Sequence, residues 1–407
     1  MRRRGAGDAM RAPMMRYLPV ALGLAWFMPS CADTASDGRL ASDDPDSSTI
    51  PAPPGDAGCE AGMDGCAPPP VEEDCAASGV AFCPVSIPNT RPSFTSVWGS
   101  RADDVWVGGS FGALMHFDGK AWVETPTNTR QTIFAVAGRP SGEVWAVSSR
   151  AVLFHSMGFA GASTWEKFEP VGAAYEPNGY VQQEALLLAA WVPPEGGVWL
   201  GGSTYQLVPP GETRAANRNL WRWGAGATSW DQSLAGTNFL VRGFWSGGPD
   251  GIWAVGGMST AATTRYGRAI HAVPGPGAVD WVEYDTQSPY DLNAIWGSSS
   301  GDVWAVGNRG TVRHWTNATP KRWAIVDVPT TENLRAVWGT GAKDIWVVGD
   351  NGTILHYDGT TFESVSAKFG VGSFPPNLRG VWGSSADDVW IVGDSVVLHR
   401  NSGVETP

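Results

Sequence analysis

Long apolar runs are missing from this chain. No stretch of 18 or more consecutive apolar residues occurs in its 407, which excludes a spanning helix of ordinary length. Charge is scarce too: Asp, Glu, Lys and Arg make up 17%, with a net charge of −12. Beyond the extreme N-terminus there is no cluster of Lys and Arg, so the electrostatic footprint that nucleic acid requires is lacking. Cysteine disappears after Cys83. There is no HExxH, no GxSxG, no Walker loop and no GxGxxG opening a helix. These absences point away from an enzyme, from a metal centre and from a cofactor.

What the chain has in quantity is Gly (52) and Trp (22), with Ser, Thr and Val. That composition favours strands and tight turns. One thirteen-residue phrase organises it. VWGSSADDVWIVG (381–393) recurs as VWGSRADDVWVGG (97–109), IWGSSSGDVWAVG (295–307) and VWGTGAKDIWVVG (337–349). Looser copies begin at Val136, Ala190 and Phe244. In all seven the two marker positions stand eight residues apart, from Trp98/Trp106 through Ala137/Trp145 to Trp382/Trp390. A repeat at this period is read before any local feature.

Each repeat carries four apolar runs of strand length. The first two hold the marker pair and the third contains a histidine: His116, His155, His271, His314, His356 or His399, with Trp221 in that place in the third repeat. The fourth opens with Trp122, Trp165, Trp230, Trp281, Trp323 or Phe362. Four short strands every 40–55 residues are the period of a propeller blade. The expected fold is all-β, a seven-bladed β-propeller. Third strands lie well out from the axis, so the histidines do not converge on a metal; each is expected to bond within its blade, to a carboxylate such as Asp103, Asp104, Asp387 or Asp388. Trp223 and Trp315 stand outside the repeat register and are left for stacking on sugars.

The last repeat ends after its third strand. Fourth-strand aromatics commonly precede the next first marker by 15 residues, and 16 before Trp98 is Phe82, in VAFCPVSIP. An N-terminal strand is therefore expected to complete the last blade and remove the free edges.

Upstream, residues 1–31 read as a signal peptide: arginines, an apolar run from Leu18 to Met28, then Pro-Ser-Cys. The context of Cys31 resembles a bacterial lipoprotein signal, which implies acylation of that cysteine. Residues 32–80 form an acidic spacer rich in Pro, Gly, Ser and Ala, too poor in apolar residues to fold alone. Cys59, Cys66, Cys75 and Cys83 are an even set able to form two disulfides in an oxidising compartment, in any of three connectivities. The propeller is expected over 81–403.

Loops that grow on a rigid scaffold usually carry recognition. Here growth is confined mainly to connections between second and third strands and between successive blades, which emerge on one face. The largest insertions adjoin blades three and four and carry Tyr175, Tyr180, Tyr205, Arg214, Arg218, Arg265, Tyr266 and Arg268. Tyr and Arg are enriched at binding hot spots and can stack on sugars or grip carboxylates.

The phrase (V/I)WGSSADDVWAVG…GTILHYDG resembles a repeat of bacterial secreted proteins and lipoproteins, propellers related in shape to the kelch, BNR/sialidase-like and WD40-like groups. The resemblance covers about 320 residues and implies fold and export, with no catalytic residues to carry over. The sialidase Asp box appears only as shortened echoes, FDGKAW (117–122) and YDGTTF (357–362). The expectation is an exported, lipid-anchored monomer at the cell envelope, in the outer membrane, on the cell surface or in the periplasm. It would bind a protein or glycan through the loops of blades three and four. The alternative is a lectin or BNR-type glycoside hydrolase, for which Glu184, Glu195, Glu212, Asp231 and Asp250 are the acidic residues near the insertions.

Overall fold

The computed structural model describes residues 79–400 apart from 141, 149–152, 157–164, 169–173, 176–180, 206–217, 236–238, 249, 259–265, 274–278 and 370–373. The chain divides into two units, Met1–Pro69 and Pro70–Pro407, and the described residues belong to the second. Cys31, Cys59, Cys66 and Cys75 lie outside them, with the leader and nearly all of the spacer.

The described strands pair into seven antiparallel sheets. Phe94–Arg101, Asp104–Gly109, Leu114–Phe117 and Trp122–Glu124 form a typical one, each strand bonded to the next. First strands touch in a cycle: Phe94–Arg101, Ile133–Gly138, Val181–Trp191, Phe239–Ser246, Leu292–Ser299, Leu334–Gly341, Leu378–Ser385, and back to Phe94–Arg101. The protein is an all-β β-propeller. One sheet departs from the expected four strands. The long link ahead of Trp191 folds back as Ala174–Tyr175, a fifth strand on the inner edge of Val181–Trp191.

Second strands are buried on both faces, as their unbroken apolar runs demand (IWVVG at 345–349, VWIVG at 389–393). The first-strand Trp-Gly pair explains how neighbouring sheets lock. A Cβ on Gly99 would fall 2.5 Å from Trp382, and one on Gly138 would fall 2.5 Å from Trp98. Gly297, Gly339 and Gly383 likewise receive Trp245, Trp296 and Trp338 from the preceding sheet. Where the second repeat has Ala137 instead of Trp, the third has Val192 instead of Gly, and the two share one core cluster. Bulk lost on one side is restored on the other, which keeps the interface close-packed.

Five histidines, His116, His271, His314, His356 and His399, bond inside their own sheets. His116 Nε2 lies 2.7 Å from Asp104 Oδ1, which also accepts from Trp106 Nε1 at 3.0 Å. Ser100 Oγ donates to the other oxygen of Asp104. His314–Asp302, His356–Asp344 and His399–Asp388 repeat the pair at 2.6, 2.8 and 2.7 Å. Asp104 and Asp388 are thus hubs for side chains rather than turn-makers bonding their own backbone. His271 instead bonds the backbone of Asp250, and burial holds its pKa below the ordinary histidine value. Trp315, expected to be free for sugars, is buried against Trp253 and Trp323. Trp223 packs on Trp230 at 5.2 Å.

Phe82–Pro84 pairs antiparallel with Val396–Arg400, Phe82 opposite Arg400 and Cys83 opposite His399. Phe82 is fully buried and meets Trp346 of the preceding sheet edge-on at 5.2 Å. Ala81 donates its N–H to Ser366 O, and Lys368 donates to Phe82 O, so the strand is bound on its outer side as well. Cys83 is disulfide-bonded.

Candidate functional site

The register of the first strands builds the central site. In each of the seven first/second-strand pairs the ladder skips one residue ahead of the first marker: Leu334 faces Gly349 and Ala336 faces Val348, leaving Arg335 over. The skipped residues are Thr95, Phe134, Leu188, Arg242, Asn293, Arg335 and Arg379. A bulge of this kind re-aims the side chain that it leaves unpaired. All seven line one axial cavity of about 390 Å³. A constant backbone feature thus presents a ring of variable side chains, each three residues before the first marker.

Neutral members of the ring reach the next sheet. Asn293 Nδ2 donates to Leu334 O at 2.8 Å, and Thr95 Oγ1 donates to Ile133 O. The arginines are held by carboxylates at the channel mouth. Arg335 donates through Nε and Nη2 to Asp350 at 2.8 and 2.6 Å, and Arg379 does the same to Asp394 at 2.9 and 3.4 Å. Arg242 lies 3.8 Å from Asp291. Burial alone would raise the Asp350 pKa, but the bonds from Arg335 and Asn333 and the charges of Arg335 and Arg379 hold it below the ordinary carboxylate value. Asp394 is lowered in the same way against burial by Arg379, Ser93 and Asn377. In two of the pairs the guanidinium is the more exposed partner: 30% against 15% for Arg335 and Asp350, 31% against 8% for Arg242 and Asp291.

Asp350 and Asp394 begin the turns between second and third strands, so this mouth opens on the face that carries the insertions. Backbone bonds weave that face together. Gly310 donates to Glu332 O and Gly352 to Pro376 O, each tying a turn to the link that enters the next sheet. Phe111, Arg309, Asn351 and Ser395 occupy equivalent turn positions at φ 59°, 56°, 55° and 58°. Left-handed backbone suits Asn; for a bulky Phe it is a strained outlier. Phe111 is nonetheless 72% exposed. The exposed aromatics among the described residues are Phe111, Tyr266, Tyr290 and Phe374. Phe111 and Tyr266 stand between second and third strands, and Tyr290 and Phe374 stand in links between sheets, so all four emerge on this face.

The residues expected to bind ligand are only partly brought together. Tyr180, Arg214 and Arg265 lie outside the described residues. Tyr175 sits in the extra inner strand, Tyr205 ends the strand Gly197–Tyr205, and Arg218 opens Arg218–Gly224. Tyr266 is exposed and lines a cavity of about 650 Å³ with Tyr284 and Gln287. Arg268 is committed to its own sheet. It grips Glu283 through two bonds of 2.7 Å and its guanidinium lies 4.9 Å over Phe239. The Asp-box echoes are turn closures: Asp118 accepts from the N–H groups of Lys120 and Ala121, and Asp358 from those of Thr360 and Thr361. Sequence reasoning missed the bulge ring and the aromatic distribution. The signal for the ring was present as arginine three residues ahead of three first markers.

No family model matches the chain, and no curated protein matches it. Solved structures do resemble it. A structure described as YCF48 bound to D1 peptide has 14% identity and a TM-score of 0.56, covering 80% of this chain and 97% of its own. YCF48 from Cyanidioschyzon merolae has 13% identity and a TM-score of 0.56, covering 79% and 98%. A streptogramin B lyase structure has 13% identity and a TM-score of 0.57, covering 78% and 95%. At such identities the likeness shows the fold alone, that of a β-propeller.

Proposed function

We propose that this protein is a binding or scaffold module, exported and held at a bacterial cell envelope by a lipid on Cys31, that docks a protein partner on its insertion-bearing face. The reading takes the seven sheets as seven blades of one closed ring latched by Phe82–Pro84. The cyclic contacts and the axial cavity lined from every first strand support that count. One observation carries the docking face: the exposed aromatics cluster there, and Phe111 is kept exposed in a backbone region that costs about 1–3 kcal/mol for such a residue. The turn sets the angle, as Arg309, Asn351 and Ser395 show, so it is the presence of an exposed Phe there in place of the better-suited Asn that favours a contact role. The resulting surface extends beyond blades three and four, from Phe111 in the first sheet to Phe374 ahead of the last. That a solved propeller of similar fold holds a peptide, in the structure described as YCF48 bound to D1 peptide, accords with this use of the scaffold.

Phe111→Asn separates folding from binding. Asn tolerates the left-handed turn, so the variant melts no lower than the parent, while crosslinked partner recovered from envelope fractions falls sharply. Equal recovery by parent and variant would remove Phe111 from the docking surface. Anchoring has its own check. A tagged fatty acid fed to the producing cells labels the protein, and Cys31→Ser abolishes the label; labelling that survives the substitution would place the lipid elsewhere.

A further inference from the structure

We propose that the bulge ring at the channel mouth is a binding site for a small organic carboxylate with an apolar body. The ring is amphipathic around its circumference. In order it runs Thr95, Phe134, Leu188, Arg242, Asn293, Arg335, Arg379, so an apolar arc of Phe134 and Leu188 stands across the channel from Arg335 and Arg379. One wall offers carbon and the facing wall offers guanidinium. A ligand satisfying both carries one anionic group and one apolar group.

Three further observations favour a site over a structural staple. Stapling to the next sheet is performed at equivalent ring positions by Asn293 and Thr95, through bonds to backbone carbonyls. Arg335 and Arg379 bind only carboxylates of their own sheets in these contacts, and both bonds of each use the Nε/Nη2 edge. The remaining Nη1 edge is the geometry that receives a carboxylate oxygen. Both arginines line the same cavity from adjoining first strands, so these edges belong to one wall. Finally, the cavity of about 390 Å³ falls in the usual range for small-ligand pockets, and its walls are fixed by strands rather than by loops.

The site takes its ligand independently of any partner on the aromatic rim, so either reading can fail alone. Calorimetric titration of the full chain with 3-phenylpropionate tests it, with acetate and the neutral 3-phenylpropanamide as comparators. The acid binds with a Kd of about 1 mM or tighter, as expected for a ligand of this size. Acetate and the amide each bind at least about tenfold more weakly, because each lacks one half of the recognition. Arg335→Gln combined with Arg379→Gln weakens the acid by about tenfold or more at an unchanged Tm. Should that double variant fail to fold, Leu188→Glu replaces it: a carboxylate on the half-buried apolar arc abolishes acid binding without touching the arginines. No heat with the acid at millimolar concentration overturns the proposal. So does equal binding of acid and amide, or undiminished binding by the folded variants.

Discussion

Phe82→Ala lowers the free energy of unfolding by about 3–5 kcal/mol, the usual range for truncating a buried aromatic. In a domain of this size the melting temperature falls by roughly 10 °C. Two losses combine. The truncation opens a void against Trp346 in the core cluster that Phe82 shares with Ile354, Leu378 and Leu398. The three-residue strand also loses its anchor, which leaves Val396–Arg400 as a sheet edge open to pairing with other chains. Phe374→Ala serves as the control. Its side chain is 93% exposed, and its removal changes stability by less than about 0.5 kcal/mol. A Phe82 variant that melts within 2–3 degrees of the parent, by the same scaling of roughly 2–4 °C per kcal/mol, would show that the ring holds without its upstream strand.

Asp104→Ala is the second large effect, about 3–5 kcal/mol. Its carboxylate is the common acceptor for Trp106, His116 and Ser100, and removing it strands buried donors at about 1–3 kcal/mol each. Asp302→Ala, the same hub in a more exposed pair, costs less. The hubs also predict how stability responds to acid. Burial would raise the pKa of Asp104, Asp344 and Asp388, yet bonds from His116, His356 and His399, with those from Ser100, Thr340 and Ser384, hold all three below the ordinary value. Folded pKa values below the unfolded one mean that this stability is complete above about pH 4 and drains as pH falls through the lowered values. Urea midpoints measured from pH 7 to pH 3 therefore fall more steeply for the parent than for Asp104→Ala below about pH 4. Parallel curves would remove the carboxylates from the account.

Much of the fold was legible because the repeat is written in residues with few alternatives. Trp at eight-residue spacing, Asp in the first turn and His in the third strand are each fixed by a contact within or between sheets, so they recur. The partner of Val396–Arg400 could be found by counting, since the position of a fourth-strand aromatic is set by the hairpin that precedes it. The extra strand Ala174–Tyr175 could not. Two residues in a long link carry no periodicity, and only the neighbouring backbone decides whether they pair. The candidate site was half legible. Loop lengths pointed to the face on which the exposed aromatics also emerge, but the bulge ring depends on register, which sequence spacing does not state, and no spacing announces the pairing of Arg268 with Glu283. Phe111 went unnoticed because its interest lies in a backbone angle.

The Trp-on-Gly contact gives the ring a direction. At five of the seven junctions one sheet pushes an indole forward onto the glycine of the next, so a repeat bounded by two of them carries both halves of a matched pair of fittings. Units bounded by such junctions can be copied, lost or traded along the gene without repair at the seam. The junction of Ala137 with Val192 breaks that interchangeability: a standard unit placed before Val192 would drive an indole into an isopropyl group. The matched junctions instead run without a break from Trp245 on Gly297 round to Trp98 on Gly138, and it is there that one unit could replace another.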